Sequence, residues 1–200
     1  MPRKVIELSM LCSNDTKGVN VTLQQDLPVY MGHECYAYDL QLKSHTGTYF
    51  ETSSHVFRGA KDTEDVKLDK FILPGACLRV KTLQRCITAE DLKAIGGKLK
   101  AGCALFVDVG QDTTKYFSRD AAQWMAKSEV KLMASNAYRY DSGFENPTGF
   151  FIDLFKAEIP IIGNPVNLHL LPETDFIAIV LPLRIAGICT VPCRAIAIID

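Results

Sequence analysis

Short apolar runs and period-two alternations follow one another along this chain, interrupted by brief helical patterns. Val5 to Leu8 reads as an opening strand. Between Cys35 and Leu42, Tyr36, Tyr38 and Leu40 alternate with Ala37, Asp39 and Gln41, the period of a half-buried strand. Gly75 to Leu83 repeats the period through Ala76, Leu78, Val80 and Thr82. Ala104 to Val109 is nearly all apolar, as expected of a strand covered on both faces. Val130–Ala134, Ile159–Ile162, Phe176–Leu183 and Cys193–Ile199 supply further strands, with Pro182 and Pro192 closing or opening the last two. Thr88 is the N-cap of a short helix whose first turn is acidic and which stops at Gly96-Gly97. Ser118 caps a second helix running through Trp124 to Lys127. Asn146-Pro147 makes an N-cap and N1 pair for a third, over 147–157, carrying Phe150, Phe151, Leu154 and Phe155. Residues 13–29 read as a loop or loose hairpin, 58–70 as a charged connection and 135–145 as a polar and aromatic loop. Strands and short helices alternate with no repeat, linker or Gly-rich phosphate loop. The pattern predicts one α/β domain with a mixed sheet over residues 1–200.

Composition narrows the function more than the fold. Two hundred residues, 48% hydrophobic and 22% charged, can enclose a sizeable core. A net charge of -1 gives no reason to expect nucleic acid or an anionic membrane as partner. No apolar run approaches the roughly 20 residues a bilayer span needs, and the segment from Met1 to Glu7 has no apolar signal core. The seven cysteines are scattered and odd in number, which fits reduced thiols and a cytoplasmic protein. Cys189 and Cys193 lack a second pair to complete a zinc site and read as core residues.

Candidate chemistry is concentrated between Ser44 and Phe57. This stretch holds His45, Tyr49, Glu51 and His55, with Gly47 between two threonines. His45, Glu51 and His55 could bind a divalent metal, because imidazole and carboxylate suit zinc or manganese; Tyr49 is a weak fourth ligand or a hydrogen-bond donor. Gly47 would permit a turn with positive φ. A metal held there would acidify its water, and a histidine left off the metal would shuttle the proton. The competing account is a pair of hydrogen-bonded loop histidines at a strand end. Other clusters read as structural: Asp108, Asp112 and Asp120 as caps beside a strand end and a helix start, and His169 as a packed or surface residue. There is no Gly-X-Ser-X-Gly elbow, and no cysteine stands beside a histidine in the sequence.

The stretch His45-Thr46-Gly47-Thr48-Tyr49-Phe50-Glu51-Thr52-Ser53-Ser54-His55 resembles the motif His-X-Gly-Thr-His-X-Asp-X-Pro-X-His of the cyclase family, which includes bacterial kynurenine formamidase. Ile6-Glu7-Leu8-Ser9, Ile87 to Leu92, Ala101-Gly102-Cys103, Ile159 to Ile162, Leu181-Pro182-Leu183 and Pro192 to Ala195 follow the family order, so the likeness runs through nearly the whole chain. The resemblance implies a swivelling β/α/β fold with a barrel-like mixed sheet. It also implies a homodimer or higher homo-oligomer and a metal-dependent hydrolase acting on linear or cyclic amides, similar to arylformamidase.

By that resemblance His45 corresponds to a metal ligand and His55 to the proton shuttle, while Tyr49 replaces a ligating histidine and Glu51 a ligating aspartate. Ser53 stands in place of the motif proline. The later ligand pair His-X₁₁-Glu, aligned on Ile159–Ile162, falls on Phe151 and Gly163, neither of which ligates through its side chain. Two functions follow. One is an amide hydrolase using a zinc or manganese ion with His55 as general base, then acid. The other is a non-catalytic descendant without metal, whose old pocket binds a small, aromatic molecule.

Overall fold

The structure is a computed structural model describing residues 3–199. In chain order its strands and helices are β1 (Lys4–Glu7), β2 (Val19–Leu23), β3 (Val29–Tyr30), β4 (His33–Glu34), β5 (Tyr38–Leu42), β6 (Tyr49–Glu51), β7 (Ile72–Arg79), β8 (Cys86–Ile87), α1 (Ala89–Ile95), β9 (Ala104–Asp108), β10 (Tyr116–Phe117), α2 (Arg119–Lys127), β11 (Leu132–Ser135), α3 (Phe150–Lys156), β12 (Ile161–Gly163), β13 (Phe176–Pro182) and β14 (Thr190–Ile199). The main sheet runs β14-β13-β7-β9-β11-β12-β6 and closes where β6 pairs back onto β14, a seven-stranded mixed barrel with β1 added beside β14. The parallel members β7, β9, β11 and β12 are linked through helices, as parallel crossovers require. The mixed α/β sheet is the one the sequence pattern predicts, and its closure is the barrel-like form that the family resemblance implies.

The strand at the centre of the parallel segment explains the core. All five residues of β9 are buried, because its two faces serve two separate apolar clusters. Leu105 and Val107 face the helices with Phe117, Met125, Phe150 and Leu154. Ala104 and Phe106 face the barrel interior with Phe50, Phe176, Ala195 and Ala197. Thr88 and Ser118 cap α1 and α2, accepting from the N–H of Asp91 and Ala121 respectively. Asp108, Asp112 and Asp120 bond to nearby backbone N–H groups, as their cap assignment required.

Several local expectations are corrected. The alternating segment from Cys35 is a strand only from Tyr38, and every residue of β5 is exposed rather than half-buried. Its partner is β2, inside the segment read as a loop or loose hairpin, and the two make a separate antiparallel ribbon. Helix α3 starts at Phe150, three residues after the expected N1 proline, because the Asp141 carboxylate, not Asn146, accepts from the N–H groups of Thr148, Gly149 and Phe150. The 58–70 connection contains two 3-10 turns, Thr63–Asp65 and Leu68–Phe71, that bury Thr63 and Phe71. Pro192 lies inside β14, opposite Tyr49, because that strand begins earlier than expected. Cys189 is half-buried and borders the site described next, so it is not a core cysteine.

Candidate metal centre and its cavity

Strand β6 builds the site by simple alternation. Phe50 points into the barrel and is fully buried, so Tyr49 and Glu51 face the opposite side. The preceding loop is held from several directions. Thr48 Oγ1 donates to Asn164 O at 2.8 Å and accepts from Met10 N at 2.9 Å, while Asn164 Nδ2 donates to Gly47 O at 3.1 Å. Gly47 takes φ +60°, which makes the turn that returns His45 over β6. After β6, the 3-10 turn Ser53–His55 brings the second imidazole back to the same place.

The three candidate donors converge. His45 Nε2 is 2.9 Å from Glu51 Oε2, and His55 Nδ1 is 3.7 Å from the same oxygen. One donor atom from each of His45, Glu51 and His55 lies within 4.8 Å of the others. The His45 ring meets Tyr49 and His55 edge to face, with centroids 5.0 and 5.3 Å away. Burial raises the pKa of Glu51 above the ordinary carboxylate range, opposed by charge on His55 and by a hydrogen bond from Thr190. Burial also lowers that of His45, favouring the neutral ring. Tyr49 is pushed up to about 12 by burial and by its neighbours Glu51 and Tyr138, so it is a neutral phenol at ordinary pH.

Two participants were invisible in the sequence. Thr190 lies directly across β14 from Glu51, and its Oγ1 donates to Glu51 Oε2 at 3.1 Å. Cys189 Sγ lies 3.8 Å from His55 Nδ1. Separations of 139 and 134 residues leave no local signal for either pairing. Ser44, next in sequence to His45, places its hydroxyl 3.0 Å from His45 Nδ1.

The donor set suits a divalent ion. Two imidazoles and one carboxylate form the protein half of a common catalytic zinc arrangement, with the remaining position left open. Ligation through Nε2 requires His45 to carry its proton on Nδ1, where Ser44 Oγ can accept it; without an ion, Nε2 faces Glu51 Oε2 at hydrogen-bond distance instead.

Phe151 and Gly163, the positions that carry no ligating side chain, border the same cavity of about 600 Å³ as His45, Glu51 and His55. Phe151 stacks between Tyr140 and Phe155, at interplanar angles of 16° and 21°. Gly163 pairs with Tyr49 across β12 and β6, and a Cβ there would fall 2.1 Å from the Tyr49 ring. Tyr49 therefore occupies the space that a side chain at 163 would need. Behind this wall Tyr140 accepts from Ser135 N at 2.6 Å and contacts the carbonyl of Ile162; complete burial pushes its phenol well above the usual range.

A closed mixed barrel thus carries a His-Glu-His cluster in the lining of an aromatic-walled cavity. The chain belongs to the cyclase family, whose model, described as "Putative cyclase", matches residues 6–142. No curated protein matches. Among solved structures, isatin hydrolase A from Labrenzia aggregata, bound to benzyl benzoate, is similar at 12% identity and TM-score 0.81, covering 98% of this chain and 94% of that one. Isatin hydrolase A from Ralstonia solanacearum is similar at 15% identity and TM-score 0.81, over 99% of this chain and 92% of that one. A "predicted metal-dependent hydrolase from Bacillus stearothermophilus" is similar at 17% identity and TM-score 0.80, covering 100% of both chains. At these identities the likeness establishes the shared fold. Among the described residues, no helix is long and apolar enough to cross a membrane.

Proposed function

We propose that this protein is a metal-dependent hydrolase of amide C–N bonds, acting on a small aromatic amide or lactam. The observation that carries the proposal is the convergence of His45, Glu51 and His55 at the mouth of a cavity walled by aromatic rings. His45 and Glu51 hold a zinc or manganese ion, with His55 beside them as third donor or as the base that moves a proton. The ion, when bound, supplies the Lewis acidity that polarises a carbonyl and acidifies water. Thr190 fixes the Glu51 carboxylate, Ser44 sets the His45 tautomer, and the rings of Tyr49, Tyr140 and Phe151 form an apolar wall that excludes water.

Weighing on the other side is the self-sufficiency of the metal-free network. Glu51 is already satisfied by His45 and Thr190, and the Tyr49 ring covers Gly163. These features favour a second function, a non-catalytic binder of a small aromatic molecule. Elemental analysis of protein purified without added metal, followed by assays on isatin and N-formylkynurenine, separates the two. The hydrolase predicts about one ion per chain, lost in Glu51→Ala, and turnover lost in His55→Ala. A chain free of metal and inert on both substrates, even after zinc or manganese is supplied, would leave only the binder.

A homo-oligomer belongs to the same proposal. The ribbon β2–β5 and the hairpin β3–β4 expose Leu23, Val29, Tyr30, Tyr38, Leu40 and Leu42. A two-stranded ribbon is marginal in water unless something packs on it, and a second copy of this chain is the proposed cover.

A further inference from the structure

Resting on the small-molecule cavity above, we infer that Arg139 reads an anionic group on the ligand, so that the cavity selects aromatic carboxylates over their neutral counterparts.

The inference comes from the charges on the cavity wall. Glu51 is paired with His45 and Thr190. Asp141 is occupied by the N–H groups that open α3, at 2.6, 3.2 and 3.2 Å, and by Ser142. The lining thus has both its carboxylates already satisfied from within the protein. Arg139 is different. Its guanidinium lies 6.0 Å from the Tyr138 ring centroid, and among the described residues it has no carboxylate or carbonyl partner. A guanidinium offers five donors in a rigid fork matched to a carboxylate, and stacking on Tyr138 limits where that fork can go. It sits on the loop between β11 and α3, whereas the donor cluster is built by β6 and its flanking turns. The anion-reading group and the donor cluster are thus positioned by different elements of the cavity wall. Phe144, 96% exposed on the same loop, offers a bare ring at the cavity mouth against which an aromatic ligand can stack.

The test uses two fluorescent probes of one shape, naphthalene-2-carboxylate and naphthalene-2-carboxamide, titrated into full-length protein as purified and again after EDTA treatment. The carboxylate should bind about tenfold tighter in both preparations, the size of one charge-assisted contact in a partly open site. Arg139→Gln should remove that preference while leaving carboxamide binding within about twofold, and Arg139→Lys should keep part of it. Arg139 is exposed, so an unchanged melting curve verifies folding of each variant. A carboxylate preference that persists in Arg139→Gln assigns the recognition to other groups and overturns the inference. Equal binding of both probes to the wild type also overturns it, while leaving the aromatic cavity standing. Failure of both probes to bind at millimolar concentration refutes the cavity as a small-molecule site, and this inference with it.

Discussion

Replacing Gly163 by alanine probes the feature that most separates this site from a ligand-rich one. A Cβ built at Gly163 falls 2.1 Å from Tyr49 Cζ and 2.5 Å from Cε1 and Cε2, so the methyl would sit against the face of the ring. Distances below about 3 Å cannot be tolerated, and the obstructing atoms belong to a ring held between Gly163, His45 and the cavity wall. The backbone at 163 has no positive φ, so alanine is conformationally acceptable and, in a strand, intrinsically favoured over glycine by about 0.5–1 kcal/mol. A stabilising change is therefore the default expectation, and a loss must come from the ring. Overpacking of this kind costs about 1–3 kcal/mol. For a chain of this size that lowers Tm by roughly 2–4 °C per kcal/mol.

A double-mutant cycle isolates the contact. Tyr49→Ala alone should destabilise by about 1–3 kcal/mol through lost ring burial. Gly163→Ala added to that background should be neutral or slightly stabilising, because the ring it strikes is gone. The coupling between the two changes should then be about 1–3 kcal/mol, read from urea unfolding in EDTA. Additive effects, or a Gly163→Ala protein as stable as wild type, would refute the steric exclusion of side chains at 163. If coupling is observed, Gly163→Glu fails unless Tyr49→His accompanies it, and the two positions can only change together.

Two further outcomes are expected. Glu51→Gln should raise the Tm of metal-free protein near neutral pH by a few degrees, because burial raises the folded-state pKa of this acid. The sign is that of a group whose folded form binds its proton more tightly: the stability it contributes is full below the unfolded carboxylate pKa and is lost as pH rises through the folded one. The gain from glutamine should therefore shrink on acidification, and a gain that is independent of pH would contradict the buried-charge explanation. Paired Leu40→Lys and Tyr38→Lys substitutions should shift the chain to monomer in analytical ultracentrifugation at micromolar concentration; a wild type that is already monomeric there would count against an oligomer built on the β2–β5 ribbon.

What could be read from the sequence follows the range of the forces involved. Strand β9 was legible because burial on both faces demands an unbroken apolar run, and the caps of α1 and α2 because Thr88 and Ser118 act within three residues of themselves. Strand β5 shows where periodicity misleads. Its alternation was genuine, but nothing within this chain's described residues covers it, so the period reports a surface and not a core. The start of α3 was misplaced because Asp141, five residues before Asn146, supplies the acceptors that Asn146-Pro147 appeared to announce.

The site divides along the same line. His45, Glu51 and His55 lie within eleven residues, so one turn with positive φ at Gly47 and one 3-10 turn suffice to gather them. Thr190, Cys189 and Arg139 enter only through barrel closure and through the loop that forms the opposite wall. Closure also gives physical content to the two unusual positions. Gly75 stands to Phe176 as Gly163 stands to Tyr49: in each pair a glycine on one strand lies under an aromatic ring on its antiparallel neighbour, at 2.0 and 2.1 Å from where a Cβ would be. A ring laid over a bare strand backbone restores the packing that glycine gives up. At Gly75 the device belongs to the barrel core, where Phe176 meets Phe106. At Gly163 it sits in the wall of the cavity, so the same packing solution that stabilises the sheet also removes the space for a ligating side chain. A side chain at 163 and the ring at 49 thus exclude one another, and the donors that the described residues gather beside the cavity are His45, Glu51 and His55.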